Sequence, residues 1–154
     1  MKSLDQWFRL YEQSHQNPIN KAFHKVCIPP IVVSTVALLW VIPHPFAAMM
    51  DGWLNWATLA VAGSLYFYLR LNTRIFALMA LVLGLSLWGS RILASEPDYL
   101  LAKLAAGIFV FGWIGQLIGH KFEGKNPSFL NNLAFLLIGP AWLAKGIANN
   151  TSST

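Results

Sequence analysis

Three histidines of this chain occur in surroundings from which they could bind a metal ion. Two lie in the segment SHQNPINKAFH, where His24 follows Asn20 by four residues, so both side chains lie on one face of a helix. His15 stands just before the Asn-Pro pair, where a break in the helix can turn its side chain toward that face. The segment therefore offers two imidazoles and one amide to a common surface.

The third histidine lies at the end of a long apolar stretch, in the segment GQLIGHKFEG. Gln116, His120 and Glu123 are four and three residues apart, so they project from one helix face. Neutral imidazole is the commonest protein ligand for metals, and a carboxylate beside it suits harder divalent ions. Three histidines with an optional carboxylate are typical of non-haem iron, manganese or zinc sites. In such a site, Asn20 and Gln116 would hold imidazoles or substrate oxygens.

Each of these side chains also has a purely structural interpretation. A histidine at the end of a membrane helix can be an interfacial polar residue, and Glu123 between Lys121 and Lys125 can be a solvated charge. The spacing by itself is unspecific, so the residues alone leave a metal site and a packing role equally open. Of the other candidates, His44 in IPHPF is interpreted as a loop residue, and the lone cysteine, Cys27, as a small buried side chain.

The composition indicates an integral membrane protein. Hydrophobic residues make up 56% of the 154 residues and charged residues 11%, whereas a soluble domain has about 25% charged residues. The net charge of +5 comes from basic residues between apolar segments, which argues against a nucleic-acid partner. Four apolar segments approach the length of a membrane span, at residues 26–42, 53–69, 75–93 and 101–119. A fifth, residues 129–148, contains Asn131, Asn132, Gly139 and Pro140 and could span, re-enter or pack along the bundle.

The N-terminal region predicts two helices separated by a break. Four apolar residues at three- and four-residue spacing form one apolar stripe: Leu4, Trp7, Phe8 and Tyr11. They predict an amphipathic helix over residues 3–15, which lies on the membrane or packs on the bundle. Asn17 is a good N-cap and Pro18 suits the first helical position, so a second helix begins there. We therefore predict an all-α, polytopic membrane helical bundle with four to five membrane segments and an N-terminal amphipathic helix. Residues 1–148 would form a single domain and residues 149–154 a disordered tail.

Basic residues in the short loops predict the orientation in the membrane. They are concentrated in the N-terminal region and after the second and fourth apolar segments, which puts these regions in the cytoplasm. His15, His24, His120 and Glu123 then lie on the cytoplasmic side of a bacterial inner membrane, and His44 lies on the opposite side. Ionisable groups near membrane helices are usually functional or paired. Four lysines flank the centre and could reach an acidic headgroup or a substrate carboxylate: Lys21, Lys25, Lys121 and Lys125.

Longer motifs around these residues resemble a known family. The segments YEQSHQNPINKAFHKVCIPP, NWATL, FYLRL and WIGQLIGHKFEGKNPSFLNNLAFLLIGPAWL together resemble a small membrane family. That family was long catalogued as a domain of unknown function and is linked to 2-hydroxy fatty acid dioxygenase activity in fatty acid α-oxidation. The most specific parts are the YxxxHxxPxNxxxH block at residues 11–24 and the GHxxEG block at residues 119–124. The resemblance extends over nearly the whole chain.

The resemblance implies a cofactor, a ligand set and a substrate. Iron(II) would be held by His15, His24 and His120, with Glu123 and Asn20 as weaker assignments. The enzyme would use O2 to shorten a 2-hydroxy fatty acid by one carbon in contact with membrane lipid, and the chain could form a homo-oligomer. Other interpretations remain open: another metal-dependent lipid hydroxylase or hydrolase, a non-catalytic scaffold or transporter subunit, and a haem-binding bundle.

Overall fold

A computed structural model describes residues 2–46, 49–95, 99–130 and 132–150 of the chain. All regular secondary structure in these residues is helical, which confirms the predicted all-α class. The six α-helices are α1 (Leu4–Glu12), α2 (Pro18–Val41), α3 (Trp56–Leu71), α4 (Thr73–Leu93), α5 (Leu100–Glu123) and α6 (Phe135–Asn150). Short 3-10 turns occur at Met50–Gly52 and Ser128–Leu130.

α2 begins where the Asn-Pro pair predicts. The Asn17 side chain accepts a hydrogen bond of 2.8 Å from the backbone N–H of Ile19, and Pro18 is the first residue of the helix. The apolar segment predicted at residues 26–42 is therefore the later part of a longer helix. The first two turns of α2, which carry His24, are too polar to be recognised by hydropathy as part of an apolar segment.

Three of the described helices, α2, α4 and α5, are long and apolar enough to cross a membrane. α3 and α6 have 16 residues each, which at the rise of an α-helix is about 24 Å and shorter than a typical hydrocarbon core. The predicted count of four to five membrane segments is therefore approximate. Three helices have the length of a span, and two of the predicted apolar segments form shorter helices. Large apolar side chains are exposed on the outer surface, among them Leu81, Trp88 and Phe111, as expected for lipid contact.

α2 and α5 pack closely together and run antiparallel. Three glycines of α5 leave no room for a side chain where they meet α2. They are Gly112 against Ile31, Gly115 against Cys27 and Gly119 against Asn20. Gly124, with a φ of 69°, ends α5 in the left-handed conformation. Because early residues of α2 meet late residues of α5, the start of α2 lies beside the end of α5.

Substituting Gly115 by alanine is expected to destabilise the protein by about 1–3 kcal/mol, because the new Cβ would lie 2.5 Å from Cys27 Sγ. Gly107→Ala on the same helix is the matched control, since nothing lies within 4 Å of its Cβ position. Thermal unfolding in detergent measures both. Equal midpoints for the two variants would show that α2 and α5 do not approach as described.

α3 returns along α2 toward the histidine end of the bundle. Near its start, Trp56 Nε1 donates a hydrogen bond to the carbonyl of Pro43, just beyond the end of α2. Near its end, Tyr68 Oη donates to the carbonyl of Leu137 in α6. The end of α3 therefore reaches the same end of the bundle as His24.

α1 packs on α6 at this end. Trp7, Phe8 and Tyr11 of the predicted apolar stripe are buried and Leu4 is partly buried. The ring of Trp7 meets that of Phe135 edge-on, with centroids 5.4 Å apart. Of the two predicted positions for α1, packing on the bundle is the one observed. α6 packs along the bundle against α1, α2 and α4. It extends to Asn150, so residues 149 and 150 of the predicted tail are helical, and residues 151–154 lie outside the described part of the chain.

Candidate metal centre

Three histidines meet where the residues after α1, the start of α2 and the end of α5 come together. His15, His24 and His120 are buried, with 1%, 3% and 6% of their surfaces exposed. One ring nitrogen of each lies within 4.8 Å of those of the other two. The ring centroids are 4.4 to 5.0 Å apart. Within the described part of the chain, this is the one group of three or more side chains with the spacing of metal ligands.

Backbone carbonyls orient two of the imidazoles. His15 Nδ1 lies 2.6 Å from the carbonyl oxygen of Tyr11, and His24 Nδ1 lies 2.9 Å from that of Asn20. A carbonyl oxygen only accepts hydrogen bonds, so both Nδ1 atoms carry a proton and both Nε2 atoms keep a lone pair. The two Nε2 atoms are 2.9 Å apart, where facing lone pairs repel unless a cation binds them. Both tautomers are therefore those of metal ligands.

The positions of the nitrogens fit a single metal ion. Imidazole nitrogens bind zinc at about 2.0–2.1 Å, so two ligands at a right angle are roughly 3 Å apart, close to the separation of the two Nε2 atoms. His120 Nδ1 is buried and has no hydrogen-bond partner among the described residues. An orphaned buried nitrogen requires a ligand to offset its desolvation. With the Nε2 atoms of His15 and His24, this imidazole completes a set of three nitrogen donors that suits iron as well as zinc.

Burial keeps His15 in the neutral form that binds metals. Removal from water lowers the pKa of His15 to about 4, and the hydrogen bond to the carbonyl of Tyr11 opposes this only in part. The Tyr11 ring stacks on the imidazole with centroids 3.8 Å apart, and burial raises the pKa of its phenol. The lone pair on His15 Nε2 is therefore available at neutral pH.

Glu123 lies beside the histidines, but its carboxylate is bound to the segment between α1 and α2. Its Oε1 accepts a hydrogen bond of 2.8 Å from the backbone N–H of Gln16. Its Oε2 accepts one of 2.8 Å from the N–H of Asn17 and one of 3.1 Å from the Asn20 amide. These charge-assisted bonds clamp the end of α5 onto the segment that carries His15. Glu123 is therefore outside the three-histidine group, which differs from the weaker expectation that it is a ligand.

The two amide side chains near the histidines are differently placed. The Asn20 amide nitrogen donates to Glu123 and, at 3.3 Å, to the carbonyl of Ser14, so it supports the clamp rather than an imidazole. Gln116 is buried and lines the same cavity as the histidines. Its Nε2 has no hydrogen-bond partner among the described residues. Gln116 is therefore the amide that remains available to a bound ligand.

Three other candidate side chains lie away from the centre, those of Lys121, Lys125 and His44. Lys125 Nζ donates a hydrogen bond of 2.7 Å to the carbonyl of Gln13, so it holds the end of α1. Lys121 is exposed on the outer surface. His44 follows the end of α2, at the end of the bundle opposite the three histidines.

Comparison with known proteins identifies the family. The chain matches the family described as "2-hydroxy-palmitic acid dioxygenase Mpo1-like" over residues 1–151. The chain belongs to the Mpo1-like family. It is also 31% identical over 131 residues to "2-hydroxy-palmitic acid dioxygenase MPO1" of Saccharomyces cerevisiae, an alignment that covers 83% of this chain and 69% of the yeast protein. No solved structure matches the chain.

In this Mpo1-like chain the three histidines border a cavity of about 70 Å³. Its walls are mainly apolar and include Tyr11, Ile28, Trp113, Phe129 and Phe135. A haem does not fit here, because three nitrogens within 4.8 Å of one another cannot lie on either side of a macrocycle. The site therefore suits a small ion and the head of a substrate.

Two residues that line this cavity, Tyr11 and Trp113, were not predicted from the sequence to be part of the site. Tyr11 belongs to the apolar stripe of α1, and its ring stacks on the imidazole of His15 because the chain turns just after this helix ends at Glu12. Trp113 precedes Gln116 by three residues and faces the same cavity. Aromatic residues are so frequent in membrane helices that neither position was informative by itself.

Proposed function

We propose that this Mpo1-like protein is an iron(II)-dependent dioxygenase that shortens 2-hydroxy fatty acids by one carbon. The observation that carries the proposal is the convergence of three buried imidazoles at one end of an apolar helical bundle. The identity of 31% to the yeast 2-hydroxy-palmitic acid dioxygenase supports the substrate class. His15, His24 and His120 would hold the metal.

The chemistry favours iron over zinc at these histidines. Zinc is a d¹⁰ ion without redox chemistry, whereas a dioxygenase must pass electrons to O2. Iron(II), when bound, supplies the one-electron chemistry through which O2 reacts. A site with three protein ligands also keeps positions open for substrate, as catalytic metal sites do.

The proposed reaction balances with O2 as the oxidant. The bond between C1 and C2 of the 2-hydroxy acid breaks, C1 leaves as CO2, and C2 becomes the carboxyl carbon of the shorter acid. C2 loses three electrons and C1 loses one, and O2 takes up all four. Its oxygen atoms, together with those of the substrate, end in the shorter acid, CO2 and one molecule of water.

Residues of the cavity would orient the head of the substrate and exclude water. The Nε2 of Gln116 and the Nε1 of Trp113 are buried, unpartnered among the described residues, and belong to side chains that line the cavity. Both nitrogens are donors, so they can bind the carboxylate or hydroxyl oxygens of a 2-hydroxy acid. The apolar walls keep bulk water away from the reacting carbons.

The proposed location is the cytoplasmic face of a bacterial inner membrane. The reason is the distribution of basic residues, because Arg70 in the last turn of α3 and Arg74 in the first turn of α4 lie at the same end of the bundle as the histidines. Membrane lipid would surround the long helices, and O2 and the fatty acid would reach the site from the bilayer. A homo-oligomer remains an expectation from the sequence.

Turnover of a defined substrate tests the proposed function. Detergent-purified protein loaded anaerobically with iron(II) is expected to consume one O2 for each 2-hydroxypalmitic acid and to release pentadecanoic acid. Palmitic acid is the matched control and is expected to give no reaction, because it lacks the hydroxyl group. Oxygen uptake follows the rate and mass spectrometry identifies the product. A loaded protein that is inert toward 2-hydroxy acids would instead favour the scaffold or transporter interpretation.

A further inference from the structure

A second cavity adjoins the histidine cavity and lies along α2. Its volume is about 340 Å³, and it is lined by residues of α2, α3, α4, α5 and α6. The two cavities share five lining residues, so they lie side by side: Ile31, Val32, Trp113, Leu136 and Pro140. The second cavity is named the α2 groove here, and its wall on α2 runs from Ile31 to Leu39.

The α2 groove presents an apolar surface although three of its residues carry hydroxyl groups. Thr35 donates to the carbonyl of Ile31 at 2.7 Å, Ser64 to that of Ala60 at 2.8 Å and Tyr68 to that of Leu137 at 3.0 Å. All three hydroxyl protons are therefore used in hydrogen bonds to carbonyl groups of the protein. No charged side chain is among the described residues that line the groove. Such a surface suits an alkyl chain and not a polar ligand.

The groove is open on one side, toward the space that lipid occupies around the bundle. Val36, Val61 and Leu83 in its wall are buried, whereas Ala60 and Leu136 are exposed on the outer surface. The same outer surface carries the large apolar side chains of the membrane-spanning helices. An alkyl chain can therefore enter the groove sideways from the bilayer without passing through water.

The dimensions of the groove match a single fatty acyl tail. If a methylene group occupies about 30 Å³, the share of a water molecule in the liquid, the groove holds roughly eleven of them. Leu39 follows His24 by fifteen residues, which along a helix is about 22 Å. The distance of about 22 Å along α2 is longer than half the thickness of a bilayer's hydrocarbon core, which is about 15 Å. A long acyl chain fits with its head at the histidines.

We propose that the α2 groove binds the alkyl tail of the substrate, and that Ala60 limits the length of tail that it accepts. This inference rests on the proposed function, since it takes a 2-hydroxy fatty acid as the ligand. Tyr68 lies at the end of α3 that is nearer the histidines, because its hydroxyl donates a hydrogen bond to the carbonyl of Leu137 in α6. Ala60 precedes it by eight residues, about 12 Å along the helix, and so lies toward the far end of the groove.

Paired phenylalanine substitutions test this assignment. Ala60→Phe fills the far end of the groove, whereas Ala62→Phe on the same helix adds the same side chain at an exposed position outside the groove lining. Both positions are exposed, so neither change disturbs the buried core. We expect Ala60→Phe to lower kcat/KM for 2-hydroxystearic acid by about tenfold relative to 2-hydroxyoctanoic acid, and Ala62→Phe to keep the wild-type ratio. An unchanged chain-length profile in Ala60→Phe would overturn the assignment.

Photo-crosslinking separates this inference from the proposed function, because it does not require turnover. A 2-hydroxypalmitic acid with a diazirine near the end of its tail is bound to the full chain in detergent, irradiated and mapped by mass spectrometry. Labels on the α2 and α3 walls of the groove would support the acyl site if they are lost in the Ala60→Phe variant. This result would hold even if no acid is turned over. Labels spread over the exposed faces of α4 and α5 would indicate ordinary lipid contact and overturn it, whether or not the protein is a dioxygenase.

Discussion

Replacing His120 by alanine is expected to abolish iron binding and turnover while the protein stays folded and membrane-inserted. The substitution removes one of three buried nitrogens that lie within 4.8 Å of one another, and the remaining pair cannot hold the ion alone. Loss of a residue that merely orients a ligand costs about 10–100-fold in affinity, so loss of a ligand should exceed that range. Iron content after anaerobic loading and O2 uptake with 2-hydroxypalmitic acid measure the two effects.

His44→Ala is the control for this experiment. His44 lies beyond the end of α2, away from the metal centre, so its loss should leave both iron content and turnover near wild type. Helical content by circular dichroism reports whether either variant unfolds. A folded His120→Ala protein that still oxidises the substrate would remove His120 from the ligand set. An inactive His44→Ala protein would contradict the separation of the two ends of the bundle.

Converting Glu123 to glutamine is expected to weaken iron binding by about 10–100-fold without removing a ligand. Glu123 accepts hydrogen bonds from the backbone of Gln16 and Asn17, next to His15, and a glutamine amide nitrogen cannot accept one. The His15 imidazole would then be less well held, although it could still bind. An iron titration by competition with a chelator measures the affinity, and kcat at saturating iron should stay close to wild type.

Two further variants distinguish this positioning role from a general effect of charge. Asp51→Asn removes the same charge at the far end of the bundle, where Asp51 is exposed and pairs with Arg91 at 3.4 Å, and it should leave iron affinity unchanged. Glu123→Asp keeps both acceptor oxygens and should restore part of the affinity. If Glu123→Gln binds iron as tightly as the wild type, the clamp does not position His15. A loss of kcat at saturating iron would instead indicate that Glu123 acts in the reaction.

The sequence predicted the all-α class, the start of α2 and the end of the bundle at which the histidines meet. The Asn17–Pro18 pair predicted the start of α2, because an N-cap side chain and a fixed proline φ act within a few residues. Helical spacing placed Gln116 and His120 on one buried face of α5. Loop charges predicted which helix ends lie together, and the structure brings the start of α2 to the end of α5.

Features that depend on packing between distant helices could not be predicted. Glu123 shares a helix face with His120, but its oxygens are occupied by backbone groups of a segment more than a hundred residues away. The α2 groove is formed by five helices, so no single stretch of sequence indicates it. Hydropathy located the apolar segments that overlap α3 and α6, but it did not predict that each helix has 16 residues, because it recognises apolar length and not where a helix begins.

X-ray absorption at the iron edge of the iron(II)-loaded protein tests the central claim most directly, namely that the three buried histidines hold a single iron ion. We predict one iron per chain, with the scattering of about three imidazoles around it. This scattering should be lost in His15→Ala, His24→Ala and His120→Ala, and it should persist in His44→Ala. Iron that is absent after loading, or bound without imidazole scattering, would contradict the account.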